Sequence, residues 1–281
     1  GSTDNTPTMC DQLRKKDKRI RVFHKENGGL GSARNVGINN ARGEFIYFFD
    51  VDDSIENNLI EENVKIALEK KVDLVIFGFY AREDNSNREE KIILNERHIK
   101  SNDELKDIYC KELLFTKHGN GFAWNKFYRM SFIDKYNFRF GNQRIQQDEP
   151  FNMQLYLKLN NVYISSKCLY HYVIYSSGNA GSRYLENKYD IITDIYYKFK
   201  NFYNSWDLND DRVKKYICDR YISGIYNVIS YNYYHRDCKL NSINKYKKIK
   251  EIMNSNNLID CIKYSWNQKK LSIFDICIKN K

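Results

Sequence analysis

Proline is nearly missing from this chain, with two in 281 residues, so few positions force a helix or strand to break. No apolar run reaches the roughly 18 residues of a spanning helix, and no signal peptide is expected. Metal-type cysteine spacing is absent as well. The seven cysteines (10, 110, 168, 218, 238, 261 and 277) are scattered and odd in number. They read as reduced core thiols of a cytosolic protein, not as a disulfide framework. The five histidines are equally dispersed, so a zinc site would have to draw on distant residues. What the chain has in quantity is apolar content (42%), tyrosine (23 residues) and positive charge, a net +10. Such a length buries a full core as one large domain or one and a half. The charge suits an anionic ligand, an acidic membrane surface or nucleic acid, and selects none of them.

The most informative stretch is Phe45-Ile-Tyr-Phe-Phe-Asp-Val-Asp-Asp-Ser54. Its first half, Phe45 to Phe49, predicts a strand buried on both faces. It ends in three carboxylates, Asp50, Asp52 and Asp53, at the strand end where open α/β sheets place ligand chemistry. Two carboxylates about 4 Å apart repel by roughly 4 kcal/mol at an effective dielectric of 20. A hard cation such as Mg²⁺ or Mn²⁺ would reverse that repulsion and share its oxygens with a phosphate ligand. The alternative is a solvated acidic turn capping a helix that starts near Asn57.

Upstream lies Asn27-Gly-Gly-Leu-Gly-Ser-Ala-Arg-Asn-Val-Gly37, followed by Ala41-Arg-Gly-Glu-Phe45. Gly28, Gly29 and Gly31 allow backbone to approach a ligand, and a helix opening at Ser32 offers unpaired N–H groups to an anion. Joined to the acidic turn at this spacing, the pattern resembles the donor-binding half of glycosyltransferase family 2, the inverting nucleotide-sugar transferases. The resemblance covers about residues 1 to 183. It implies a GT-A (Rossmann-like) mixed sheet flanked by helices and a Mg²⁺ or Mn²⁺ ion held by Asp50 and Asp52. Gly28, Gly29, Arg34, Asn35, Asp50 and Asp53 would then contact a nucleotide-sugar donor. A uridine diphosphate sugar and a glycan or lipid-linked acceptor of a bacterial surface polysaccharide are the implied substrates. Gly1-Ser-Thr-Asp-Asn-Thr-Pro7 resembles the middle of the family pattern, so the expected domain is N-terminally truncated, lacking its first strand-helix-strand unit. A non-catalytic nucleotide-sugar or partner-binding domain is the alternative that this truncation raises.

Further matches follow. Ala123-Trp-Asn-Lys-Phe-Tyr-Arg129 resembles the family's Trp-x-Lys-Leu-Tyr segment, where Lys126 would reach the diphosphate or simply lie on the surface. Gln146-Gln-Asp-Glu-Pro-Phe151 aligns on Phe151 with the family's Glu-Asp-x-x-Phe, which gives Asp148 the role of catalytic base. Inversion needs such an acid on the acceptor face, while plain N-capping would also place an aspartate here. Gln147 stands where the family has glutamate, which raises an altered acceptor site or a role for Glu149. His171 matches a histidine that touches metal or diphosphate in some relatives, and a structural role fits it equally. Arg183, ending a polar loop from Ser176, would clamp phosphate or be a plain surface arginine.

In chain order, the patterns predict helices from Pro7 to about Lys16 (capped by Thr6), over 32–40, 103–114 and from Gln146, with strands at 19–24, 74–77, 123–129 and 162–175. Leu59, Val64 and Leu68 are expected to face one way on a helix, and 82–90 to form an exposed hairpin or loop with 92–94 as its return arm. From Tyr184 the period turns helical, with one stripe from Leu185 to Tyr203 and another from Val213 to Val228. The expected organisation is a catalytic α/β domain over 1–183 and a helical region over 184–281. Basic segments at 245–250 and 269–281 suggest contact with the inner face of the cell membrane or a solvated helix face. Nucleic-acid binding finds no motif, and the clustered acids oppose it.

Overall fold

The computed structural model describes residues 1–86, 88–176 and 183–265, and the chain divides into two compact units, Gly1–Ile174 and Tyr175–Lys281. The change of period places the boundary after Arg183, whereas the observed division falls after Ile174.

The first unit opens with α1 (Thr6–Lys16), whose first turn contains Pro7. Its cap is Asn5, not Thr6, and the Thr6 N–H donates to Asp4 Oδ1 (3.0 Å). α2 (Gly29–Asn40) begins earlier than the expected Ser32, with Gly29 at φ +84°. Between them, the strand expected over 19–24 does not form. A strand needs partners for its N–H and C=O groups, and this segment pairs with no strand among the described residues. Arg21 instead donates to the Asn40 carbonyl (2.6 Å).

The unit continues with β1 (Phe45–Tyr47), β2 (Ser54–Ile55), α3 (Leu59–Glu69), β3 (Leu74–Glu83), β4 (Glu89–Ile92), β5 (Arg97–Ile99) and α4 (Asn102–Lys111). It closes with β6 (Lys126–Arg129), α5 (Met130–Tyr136), α6 (Asp148–Tyr156) and β7 (Val162–Ile174). The strand order is β1-β6-β3-β7-β2, with β4 added to β3 and β5 to β7. Among the described residues only the long β3–β7 pairing is parallel, so the sheet is mixed. β1 ends the strand order and pairs only with β6 there. It is therefore half-buried rather than covered on both faces. α3 buries Leu59, Asn63 and Ala67, while Leu68 is exposed, so its inward stripe is rotated from the expected one.

The core of this unit is aromatic. Trp124 stacks on Tyr170 (4.3 Å) and Phe122 (4.5 Å) and meets Phe79 edge-on (5.0 Å). β3 and β7 shift register on both sides of Gly78. A Cβ at Gly78 would lie 2.5 Å from Ile92 O and 2.7 Å from Cys168 Sγ, so this irregularity accepts only glycine.

The second unit is helical: α7 (Lys188–Ser205), α8 (Asp211–Asn227), α9 (Ser242–Met253) and α10 (Asn256–Ser265). Ile192, Tyr196, Phe199 and Tyr203 are buried, as are Val213, Ile217, Tyr221, Ile225 and Val228, in keeping with the two stripes read from the period. Asp210 caps α8 by accepting from the Arg212 N–H (2.8 Å).

Candidate active site

Three loops and helix ends bring charge together at one end of the sheet. Beyond β1 the chain turns at Asp50, where the Asp53 N–H donates to the Asp50 carbonyl (3.1 Å). The turn is fastened to β7 through Asp53. Its Oδ2 accepts from the Tyr170 hydroxyl (2.5 Å) and its Oδ1 from the Val173 N–H (2.8 Å). Burial pushes the Asp53 carboxyl up to about 6, with those two hydrogen bonds opposing.

Arg34 projects from α2 and is 8% exposed. Its Nη2 donates to Asp50 Oδ1 (2.8 Å) and its Nη1 to Asp148 Oδ1. The guanidinium lies 5.2 Å from the Phe140 ring centre and 5.9 Å from that of Phe48. Burial works against its charge, yet Asp148 and Asp50 outweigh burial and hold Arg34 above its ordinary value. Asp50 is raised by burial first. Arg34 partly relieves it, and Asp148 and Asp52 add to it.

Asp148 is the first residue of α6, whose cap is Gln147, so the capping alternative does not describe it. Its second oxygen accepts from the Ala123 N–H (2.9 Å), just ahead of β6. One arginine thus joins the acid that ends the β1 run to the acid that opens α6.

Other expected residues are placed elsewhere. Asn35 clamps the backbone of Phe140, donating to its carbonyl (2.9 Å) and accepting from its N–H (2.8 Å), which corrects its reading as a donor contact. Lys126 is wholly buried, with its ammonium directed at oxygens of Asn120, Phe122 and Asn125, so a surface or diphosphate-facing lysine is excluded in this arrangement. His171 lies on the opposite face of β7 from Tyr170 and Tyr172, as strand alternation requires. It stacks on Tyr80 (4.8 Å) and sits 3.0 Å from both Glu56 and Glu89. That replaces its reading as a metal ligand with Asp50 and Asp52. Gly28 and Gly29 do open α2, beside the Arg144 side chain. Arg183 is exposed, and residues 177–182 of its loop lie outside the described residues.

Residues 1–137 match the family described as glycosyl transferase family 2. They belong to it. Among curated relatives, EpsH of Bacillus subtilis (strain 168), named as a glycosyltransferase, is 35% identical over 180 residues, 63% of this chain and 51% of EpsH. Glycosyltransferase GlyG of Streptococcus pneumoniae is 44% identical over 81 residues, 28% of this chain and 27% of GlyG. The chain spans about half the length of EpsH. A crystal structure of S. aureus TarS 1-349 in complex with UDP-GlcNAc superimposes with a TM-score of 0.59 at 19% identity, covering 94% of this chain and 70% of TarS 1-349. The likeness shows the fold, which is GT-A with a helical C-terminal region.

Transferases with the GT-A fold generally depend on a divalent metal. The chain assembles no group of three His, Cys, Asp or Glu ligands among the described residues. Its donor set nevertheless fits a hard cation shared with phosphate oxygens, for which one or two carboxylates suffice. Asp50, raised by burial and by Asp148 and Asp52, is the acid such an ion would relieve.

One group, the Tyr47 hydroxyl, escaped sequence reasoning, and a second, Gln147, was singled out there only as a departure from the family pattern. The buried Tyr47 hydroxyl has no hydrogen-bond partner, and Asp50 and Asp53 add to burial in raising its pKa. Gln147, beside Asp148, is 5% exposed with an unpartnered Oε1. The signal for Tyr47 was its place in the aromatic run, an aromatic with a polar tip shortly before the acids.

Proposed function

We propose that this chain is an inverting glycosyltransferase that moves a sugar from a UDP-sugar to a hydroxyl of a glycan or lipid-linked acceptor in surface polysaccharide synthesis. The observation that carries the reading is Arg34 bridging Asp50 and Asp148, which ties a donor-side acid to an acceptor-side acid. Asp50 and Asp52 would hold Mg²⁺ or Mn²⁺, which supplies Lewis-acid charge to the leaving diphosphate when bound. The N-terminus of α2 offers N–H groups to that diphosphate, while the Gly29 N–H itself donates to Asn27 Oδ1 (3.1 Å). Asp53 keeps the acidic turn on β7 instead of contacting the sugar.

A carboxylate has about four lone-pair positions. Arg34 and the Ala123 N–H take one on each Asp148 oxygen, leaving capacity for an acceptor hydroxyl. The hydroxyl oxygen attacks the anomeric carbon, the bond to the diphosphate breaks on the opposite face, and the proton passes to Asp148. Work at the inner membrane face is supported by α9, where Lys245, Lys247, Lys248 and Lys250 accompany Ile243 (68% exposed) and Tyr246 (60% exposed). The basic segment 269–281 lies outside the described residues.

The test is thermal unfolding with UDP, with and without Mn²⁺. Ligand binding to the native state raises the midpoint by mass action, by a few degrees near saturation. The expected shift needs both UDP and Mn²⁺ and disappears in Asp52→Ala. No shift with any nucleoside diphosphate would contradict the donor assignment, and a metal-independent shift would contradict the metal assignment.

A further inference from the structure

Lys126 is 0% exposed, and an ammonium so deeply buried is costly unless its hydrogen bonds are made. It makes them to one short segment. Nζ donates to Asn120 O (2.7 Å), Phe122 O (2.7 Å) and Asn125 Oδ1 (2.8 Å), with Asn120 Oδ1 at 3.3 Å. Asn152 of α6 grips the same segment, its Nδ2 donating to Gly121 O (2.8 Å) and Phe122 O (3.1 Å).

The Phe122 carbonyl and the Ala123 N–H belong to one peptide unit, which is planar and trans. Fixing the carbonyl with Lys126 and Asn152 therefore fixes the direction of the N–H on the other side, and that N–H donates to Asp148 Oδ2. We propose that Lys126 is a positioning residue for the transfer step: it locks the Phe122–Ala123 peptide plane, and through that plane it sets the orientation of the Asp148 carboxylate. The proposal rests on Asp148 being the base. Burial pushes the Lys126 ammonium down to about 7, while Asp148 and Glu149, the acids facing it from α6, oppose that shift. An apolar side chain of the same length would fill the space and leave the Phe122 carbonyl held by Asn152 alone, a longer contact of 3.1 Å against 2.7 Å from Lys126.

The experiment compares the unaltered protein with Lys126→Met by hydrogen exchange at Ala123 and on β3, by UDP affinity with Mn²⁺, and by UDP release from UDP-N-acetylglucosamine with water as acceptor. Selective loss of protection is expected at Ala123, at least about tenfold, with β3 and UDP affinity unchanged. Turnover should fall roughly 10- to 100-fold, the scale on which small misplacements of a reacting group act. Unchanged Ala123 protection, a loss of protection that is equal on β3, or full turnover despite a loosened Ala123 would each overturn the proposal. Should Lys126→Met not fold, Asn120→Ala keeps the ammonium and removes one of its acceptors. It should show the same selective pattern at smaller amplitude, and normal protection at Ala123 would overturn the proposal. The exchange measurement needs no sugar, so it stands apart from the transferase reading, whose own failure shows as full turnover in Asp148→Asn.

Discussion

Arg34 has two carboxylates and two aromatic rings around it, and its side chain is 7% exposed against 29% for Asp50 and 16% for Asp148. Removing one partner of a buried charge cluster leaves the others uncompensated. Arg34→Met is expected to destabilise by about 3 kcal/mol, the low end for buried pairs because Asp50 keeps solvent contact. Urea unfolding measures it, and a change below about 1 kcal/mol would show the acids to be solvated. Asp53 gives a prediction with the opposite sense to an ordinary ion-paired acid. Its native value is raised from 3.8 to about 6, so between those values the native state holds the proton more tightly than the unfolded chain. Its contribution is fully present below that window and is lost as pH rises through it. Asp53→Asn should remove this fall in stability between pH 4 and 6. If the variant kept the same slope, another group would be responsible. At this scale the acids and Arg34 were legible in the sequence because motif spacing implies shared chemistry. Asn35, Lys126 and His171 were not, because a polar side chain's partners are set by tertiary neighbours such as Phe140, Phe122 and Glu89, which spacing does not name.

Among elements, the sheet explains what periodicity missed. Alternation along β7 was visible, but the face taken by His171 depends on pairing with β3 and on the register shifts around Gly78. Likewise the aromatic run at 45–49 has the composition of a central strand, yet β1 ends the strand order and only three residues pair. Residues 19–24 have strand composition and no ladder among the described residues. Hydrophobic pattern reports burial, and pairing is a separate fact. Gly78→Ala would force a Cβ against Ile92 O and Cys168 Sγ. A loss of about 1–3 kcal/mol is expected, the usual cost of overpacking. Trp124→Ala removes the ring shared by Phe79, Phe122 and Tyr170, and about 3–5 kcal/mol should go with it. Equilibrium denaturation tests both, and near-neutral effects would mean that the aromatic cluster rearranges around either change.

For the whole molecule, the change from strand to helix period places a boundary at Arg183, whereas the compact units divide at Ile174. No described helix is long and apolar enough to cross a membrane. The net charge of +10 and the exposed Ile243 and Tyr246 on α9 lead to a surface prediction. Vesicles containing anionic lipid should retain the protein at low salt, each basic residue contributing about 1 kcal/mol near the surface. Lys247→Glu with Lys248→Glu should release it, and retention equal to the unaltered protein would assign that face to solvent. The bridge from Asp50 through Arg34 to Asp148 is the centre of the functional reading. Its most direct test is Asp148→Asn assayed for UDP affinity in Mn²⁺ and for sugar transfer from a UDP-sugar in the same preparation. UDP affinity should stay within a few-fold while transfer falls by at least about a hundredfold, the scale of a lost general base. Full transfer by Asp148→Asn would contradict the assignment of Asp148 as the base.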